Sequence, residues 1–190
     1  MKQILRKPSS LLVLLLTVAI AIAAMPVKES ANTIPLDDTD VYCLTRNAYY
    51  EAKGDSQMSQ IAVTHVVLNR LNDPKFPKKA CEVVYQKNRT DANSAVCQFS
   101  WYCDKRMMGR VIDPVVWEES YKAVTKALNI YYRKGVDVTE GSTFYHANYV
   151  NPGWNRLERV TTIGSHIYYK VNEECLNNQK ACLPKNRSRS

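Results

Sequence analysis

The order of apolar and polar positions predicts three long helices followed by strands. At about 100° per residue, Leu44, Ala48, Val41 and Ala52 fall within an arc of about 80°, one face of a helix. That helix is expected to start near Asp38 or Thr39, both good N-cap types, and to stop at Gly54. Ser56 caps a second helix running to about Leu71. Its Met58, Ile61, Ala62, Val63, Val66, Val67, Leu68 and Leu71 wrap most of the circumference, the mark of a buried central helix. Pro74 and Pro77 make Asn72 to Lys79 a loop. Cys81 to Tyr85 is short enough for either helix or strand, and Asn88 to Arg110, polar with aromatic insertions, reads as long loops. Asp113-Pro114 opens a third helix, in which Trp117, Tyr121, Val124, Leu128 and Tyr131 form one face, with Trp117 and Tyr121 expected in the core. Gly135 ends it. Ser142 to Val150 and Arg159 to Val171, rich in Thr, Ile, Val and Tyr, read as strands separated by Asn151-Pro152-Gly153. No internal repeat is visible.

The first residues differ from the rest. Lys2, Arg6 and Lys7 precede an uncharged run of about 14 residues, Leu11 to Ala24, with the small-residue pattern Ala21-Ile22-Ala23 and Ala24 at its end. This three-part pattern predicts a secretory signal over residues 1–25. The run is short of the ~20 residues a spanning helix needs, although a start near Ser9 would allow an uncleaved anchor and transient membrane contact. Without the segment the formal net charge drops from +8 to +5, since three bases and no acid leave with it. A moderately basic exported surface suits anionic envelope polymers. The six cysteines, Cys43, Cys81, Cys97, Cys103, Cys175 and Cys182, all follow the signal and are even in number. In an oxidising compartment that predicts up to three disulfides among fifteen pairings. Proximity suggests Cys97 with Cys103 and Cys175 with Cys182, leaving Cys43 with Cys81. The absence of any C-x-x-C pair argues against a zinc site.

Composition narrows the chemistry further. Apolar residues are 45% and charged residues 23% of the chain, a globular profile. With only 6 Gly and no glycine-rich phosphate loop, nucleotide-dependent chemistry is not expected. Export and the lack of a clustered basic stripe argue against a nucleic-acid reader. Glu51 lies about 20° from Leu44 on the first helix, at the border of its apolar stripe. A carboxyl pressed against apolar surface resists ionisation and can serve as a general acid near neutral pH. Tyr49 and Tyr50 flank it; Phe99, Trp101 and Tyr102 crowd a polar loop, and Trp154 follows a turn. Aromatic planes in loops suit the C–H faces of sugar rings, although most aromatics of a small domain are core. His65 and Asn69 share a face of the central helix, placed either to hold Glu51 or to satisfy one another in the core. Strand alternation sets Phe144 with His146, and His166 with Tyr168, with Tyr145 on the opposite side from His146. Gly164 beside His166 is expected to let the backbone approach a ligand.

Several segments in order resemble the SleB/CwlJ cell-wall hydrolases, the spore-cortex-lytic enzyme family. They are Tyr49-Tyr50-Glu51-Ala52-Lys53-Gly54-Asp55, Val66-Val67-Leu68-Asn69-Arg70, Lys75-Phe76-Pro77, Cys81 to Gln86, Cys97-Gln98-Phe99-Ser100-Trp101, Thr143 to His146, Trp154, and Ile163 to Tyr169. Asp55, where the family usually has Glu, and Tyr168-Tyr169, often Phe-Tyr, are mild departures. The resemblance implies an α+β fold, a mainly helical lysozyme-like or lytic-transglycosylase-like domain with a small antiparallel β-sheet. The domain would span residues 39–175, between a linker (26–38) and a basic tail (176–190). It implies cleavage of peptidoglycan with Glu51 as catalytic acid, no cofactor, no metal and no nucleic acid. The enzyme would act as an exported monomer in the periplasm or cell envelope. Tyr50, Asn69, Gln98, Phe99, Ser100, Trp101, Tyr145, His146, Trp154, His166 and Tyr168 would bind substrate. A single carboxyl favours a lytic transglycosylase giving 1,6-anhydro products; a muramidase needs a second carboxylate, for which Asp55 is nearest in sequence. A non-catalytic glycan-binding module is a further alternative, and a zinc amidase is disfavoured because no H-E-x-x-H occurs.

Overall fold

The computed structural model describes residues 35–89, 95–154 and 156–173, all within the compact unit Ile34–Ser190. The signal segment, most of the linker, the tail and the Cys175/Cys182 pair lie outside the described residues. Helices α1 (Asp38–Ala52), α2 (Gln57–Asn72) and α5 (Pro114–Leu128) pack together. Between them lie the short α3 (Ala80–Val84), a hairpin of β1 (Lys87–Arg89) and β2 (Ala95–Cys97), a 3-10 turn (Ser100–Tyr102) and α4 (Lys105–Met108). A π-helical turn (Asn129–Arg133) extends α5. Strands β3 (Phe144–Ala147), β4 (Leu157–Ile163) and β5 (His166–Val171) form an antiparallel sheet in the order β3-β5-β4. The architecture is α+β. Among the described residues no helix is long and apolar enough to cross a membrane.

Helix α2 is the centre. Every residue from Ser59 to Leu71 is buried, because its apolar side chains have neighbours on all sides: α1, α5 and, through Ala62 and Val66 against Tyr168, the sheet. Met58 alone of the expected apolar set is exposed, at the first turn where no element covers it. Ser56 caps α2 by accepting from the Ser59 amide. Helix α1 begins at Asp38 as the pattern suggested, but its N-cap is one residue earlier: Asp37, which forms a capping box with Asp40. Gly54, at φ +85°, turns the chain after α1 as the pattern required.

Three expectations need correction. Tyr121 is exposed and Trp117 only partly buried; α5 packs instead through Ser120, Ala123, Val124 and Ala127. Those small side chains let the helix axes approach closely, so the contact stripe is rotated by about one residue from the line of large apolar groups. Asn88 to Arg110 is not merely loop but carries the hairpin, the 3-10 turn and α4, with the Cys97–Cys103 disulfide closing its centre. Arg159 to Val171 is two strands, not one, reversing at Gly164-Ser165.

That reversal explains Gly164 differently from the sequence reading. The glycine sits at φ +57°, and the groups that come close are not a ligand but the Asp55 carboxylate and the Ser59 hydroxyl. Asp55 Oδ2 accepts from the Ser165 amide (3.0 Å) and hydroxyl (2.9 Å), while its Oδ1 accepts from the Ser56 amide (2.8 Å). The hairpin tip is thereby pinned to the corner just beyond Glu51. A methyl at Gly164 would meet both side chains in a backbone conformation that favours glycine. Gly164→Ala should therefore destabilise by at least about 2 kcal/mol in denaturant unfolding; a change below about 0.5 kcal/mol would show that the corner yields freely.

Candidate active site

A groove of about 840 Å³ runs across the domain, with Glu51 on its floor. The carboxyl comes from the last turn of α1, whose apolar neighbours Ala48 and Ala52 are fully packed. Glu51 itself keeps only part of its surface open. Burial pushes its pKa up to about 7, against the opposing pull of a hydrogen bond from Tyr145 and the nearby charge of Arg70. The Tyr145 hydroxyl donates to Glu51 Oε2 at 2.9 Å. Burial beside that carboxyl raises the phenol's own pKa well above its ordinary value, so it stays a donor.

One wall is built on the β2–α4 segment, where Phe99 and Trp101 are packed into the core and Gln98 and Ser100 stand nearer the opening. Trp101 stacks on Tyr50 with ring centroids 4.6 Å apart and planes 16° apart, and its indole N–H donates to Asn47 Oδ1 at 3.0 Å. The other wall is the sheet. Alternation divides its aromatics as the pattern requires: Tyr145 lies edge-on to His166 at 5.0 Å on the inner side. His146 stacks on Tyr169 at 5.2 Å and meets Trp154 at 5.4 Å on the other side. The β3–β4 loop ends at the opening with Tyr149 85% exposed and Trp154 39% exposed, facing solvent as stacking surfaces. His166 is buried, which lowers its pKa and favours the neutral imidazole.

Of the residues singled out from the sequence, the groove brings together Tyr50, Glu51, Gln98, Phe99 and Ser100 with Trp101, Tyr145, His146, Trp154 and His166. Two do not belong to its surface. Asn69 points to the far side of α2, where its amide donates to Asp137 Oδ2 (2.8 Å), Thr139 Oγ1 (3.1 Å) and the Ser142 carbonyl (2.9 Å), while its own carbonyl oxygen accepts from the Tyr131 hydroxyl. His65 joins the same cluster, its Nδ1 3.2 Å from Asp137 Oδ1. Neither supports Glu51; both anchor the loop before β3. Tyr168 is fully buried against Ala62 and Val66, beneath the floor instead of on it. Asp55 is also turned away, and although burial opposes it, the hydrogen bonds from Ser165 and Ser56 take its pKa down to about 2.

The sequence reading gave no role to three polar or aromatic groove residues, Arg70, Tyr149 and Asp104. Arg70, 3% exposed, has its guanidinium among Phe76, Phe99 and Phe144; the one lysine or arginine within the central helix was the available signal. Tyr149 sits in a turn-rich loop, where exposure follows from the flanking Asn, Pro and Gly. Asp104 also lines the groove, but its Oδ1 caps α4 by accepting from the Arg106 and Met107 amides. Among the described residues, no group of three or more His, Cys, Asp or Glu is placed to hold a metal ion.

Comparison with known proteins gives the family and the fold. The family model described as Cell Wall Hydrolase matches residues 54–169, beginning just after Glu51. A spore cortex-lytic enzyme of Halalkalibacterium halodurans is 30% identical over 144 residues, covering 74% of this chain and 38% of that protein. The spore cortex-lytic enzyme of Bacillus subtilis is 28% identical over 138 residues, covering 69% of this chain and 37% of that protein. The chain thus spans well under half the length of these two relatives. Among solved structures, the catalytic domain of Bacillus cereus SleB superposes with a TM-score of 0.53 at 21% identity, covering 75% of this chain and 100% of that one. The catalytic domain of the germination-specific lytic transglycosylase SleB from Bacillus anthracis gives 0.52 at 23% identity, covering 75% and 99%. The ordered motifs, the α+β fold and the family match lead to one conclusion: the chain belongs to the SleB/CwlJ family of cell wall hydrolases.

Proposed function

We propose that this protein is exported and cleaves the glycosidic bond between N-acetylmuramic acid and N-acetylglucosamine in peptidoglycan, as a lytic transglycosylase with Glu51 as its acid and base. The observation that carries this reading is a half-dry Glu51 carboxyl on a groove floor, with pKa raised to about 7 and a phenol fixing one oxygen. Such a group is protonated in part at neutral pH and can hand its proton to the bridging oxygen. As the C1–O bond breaks, the leaving sugar keeps that proton as a hydroxyl and positive charge develops at C1. The muramic acid's own acetamido group can stabilise that centre. Its 6-hydroxyl then attacks C1 and gives its proton to the Glu51 carboxylate, which restores the acid and leaves a 1,6-anhydro ring.

A retaining or inverting hydrolase needs a second carboxylate beside the bond. Asp55 is committed to the hairpin tip, which favours the transglycosylase. Asp104 is the observation that keeps simple hydrolysis as a second reading, since it shares the groove. Mass spectrometry of a peptidoglycan digest separates the outcomes: anhydromuramyl ends are expected. Reducing ends would instead make this a muramidase with Asp104 as the residue to test, and free stem peptides would reject glycosidic cleavage altogether.

A further inference from the structure

Arg70 is placed where an ordinary core position of α2 would carry an apolar side chain. Its Nε donates to the Thr143 carbonyl at 2.8 Å, and three phenylalanine rings surround the guanidinium, with centroids 5.1–5.9 Å from its central carbon. Its Nη1 is buried with no hydrogen-bond partner. Among the described residues lining the groove it is the sole lysine or arginine. Burial lowers its pKa to about 10, which still leaves it charged at neutral pH, and Glu51 and Tyr145 are the groups whose charge it feels. Among the described residues no ion pair joins it to Glu51, yet the two line the same groove, so its charge acts through the field there instead of by clamping the carboxylate.

We propose that Arg70 is a positioning residue for the acid–base step: a fixed countercharge for the negative charge left on Glu51 once its proton has passed to the glycosidic oxygen. The proposal rests on Glu51 being the acid. In the resting state burial keeps Glu51 protonated in part at neutral pH, and among the described residues the buried cation has no ion-pair partner. As the proton leaves, the carboxylate forms opposite a charge that is already oriented, so the field favours the transition state more than the ground state. The same field must make Glu51 easier to ionise, and the effect can therefore be read as a shift in titration.

The other titratable groups that line the groove or pack beneath it leave that reading clear. Burial raises the phenols of Tyr145 and Tyr168 and keeps them neutral, and burial likewise holds His166 neutral. Asp104, lowered by its backbone hydrogen bond from Arg106, stays ionised. His146 is occupied by the Tyr169 hydroxyl at 2.9 Å and the Ala147 carbonyl at 2.8 Å.

The test compares Arg70→Met, which suits the phenylalanine pocket but carries no charge, with Arg70→Lys, which keeps the charge. Turnover of peptidoglycan by Arg70→Met should fall about 10- to 100-fold, while the alkaline limb of its pH profile moves up by about one unit. The lysine variant should stay within a few-fold of the native enzyme with its limb unmoved. Titration of the Glu51 carboxyl by carbon-13 NMR without substrate should show the same upward shift in Arg70→Met. An unmoved limb and titration, or a lysine variant as poor as the methionine one, would overturn the proposal. If Arg70→Met does not fold, the lysine variant decides alone: retained turnover and limb support the countercharge, and loss of both rejects it. A native enzyme that fails to cut glycan, with the NMR shift intact, would refute the proposed reaction but leave the coupling of the two charges standing.

Discussion

Glu51→Gln should abolish nearly all glycan cleavage, with turnover falling by about 10²- to 10⁴-fold, the usual range for removing a general acid. Glutamine has the same shape, and its carbonyl oxygen can still accept from the Tyr145 hydroxyl that now bonds Oε2. The groove and the affinity for glycan strands should therefore survive, and a pull-down with intact peptidoglycan should be unchanged. A stability measurement sharpens the test. The native carboxyl titrates near 7 when folded, against the ordinary 4.5. A raised acid favours the folded state only below its unfolded value, and that contribution is lost as pH climbs through about 7. Glu51→Gln removes this dependence, so it should melt at or above the native protein at pH 8 and lose the advantage toward pH 4. Cleavage by the native enzyme should decline above about pH 7, as the proton to be donated is lost. A variant that still digests peptidoglycan would mean that another group supplies the proton, whereas one that does not digest and melts below the native protein at pH 8 would show a structural role.

Much of this site was legible from residue order alone. Periodicity placed Glu51 at the border of an apolar stripe, which is why its carboxyl is half-dry, and strand alternation separated Tyr145 from His146. What periodicity could not supply was the partner of each polar group inside the core. Asn69 and His65 stand on one face of α2, yet the loop that reaches them brings Asp137 from far along the chain. Similarly, nothing local says that Gly164 will meet Asp55, since Ser165, the next residue, lies 110 residues from Asp55 along the chain. Arg70 was hidden because an arginine's long stem packs like an apolar residue while its head finds an aromatic box contributed by three separate segments. The misplaced face of α5 has a simpler origin: large side chains marked the stripe, but close packing selected Ser120, Ala123 and Ala127.

The two disulfides should separate stability from activity. Cys43–Cys81 joins α1 to α3 across 38 residues, and restricting a loop of that size removes about 4 kcal/mol of chain entropy from the unfolded state. Against a total of roughly 5–15 kcal/mol for a domain, that is a large share. Replacing both cysteines by alanine should lower the melting temperature by roughly 10–20 °C. The effect on turnover below the transition should be small, because Glu51 lies two turns further along α1 and is held there by Tyr145 and by packing on α2. Cys97–Cys103 closes only 6 residues, worth about 2 kcal/mol on the same scale. Its loop, however, contains Gln98, Phe99, Ser100 and Trp101, the centre of one groove wall. Alanines there should cost less in melting temperature but more in turnover and glycan affinity than the Cys43/Cys81 pair. Equal losses of stability from the two pairs would contradict the loop-entropy account. Full activity without the Cys97–Cys103 bridge would show that the Trp101–Tyr50 stack holds that wall unaided.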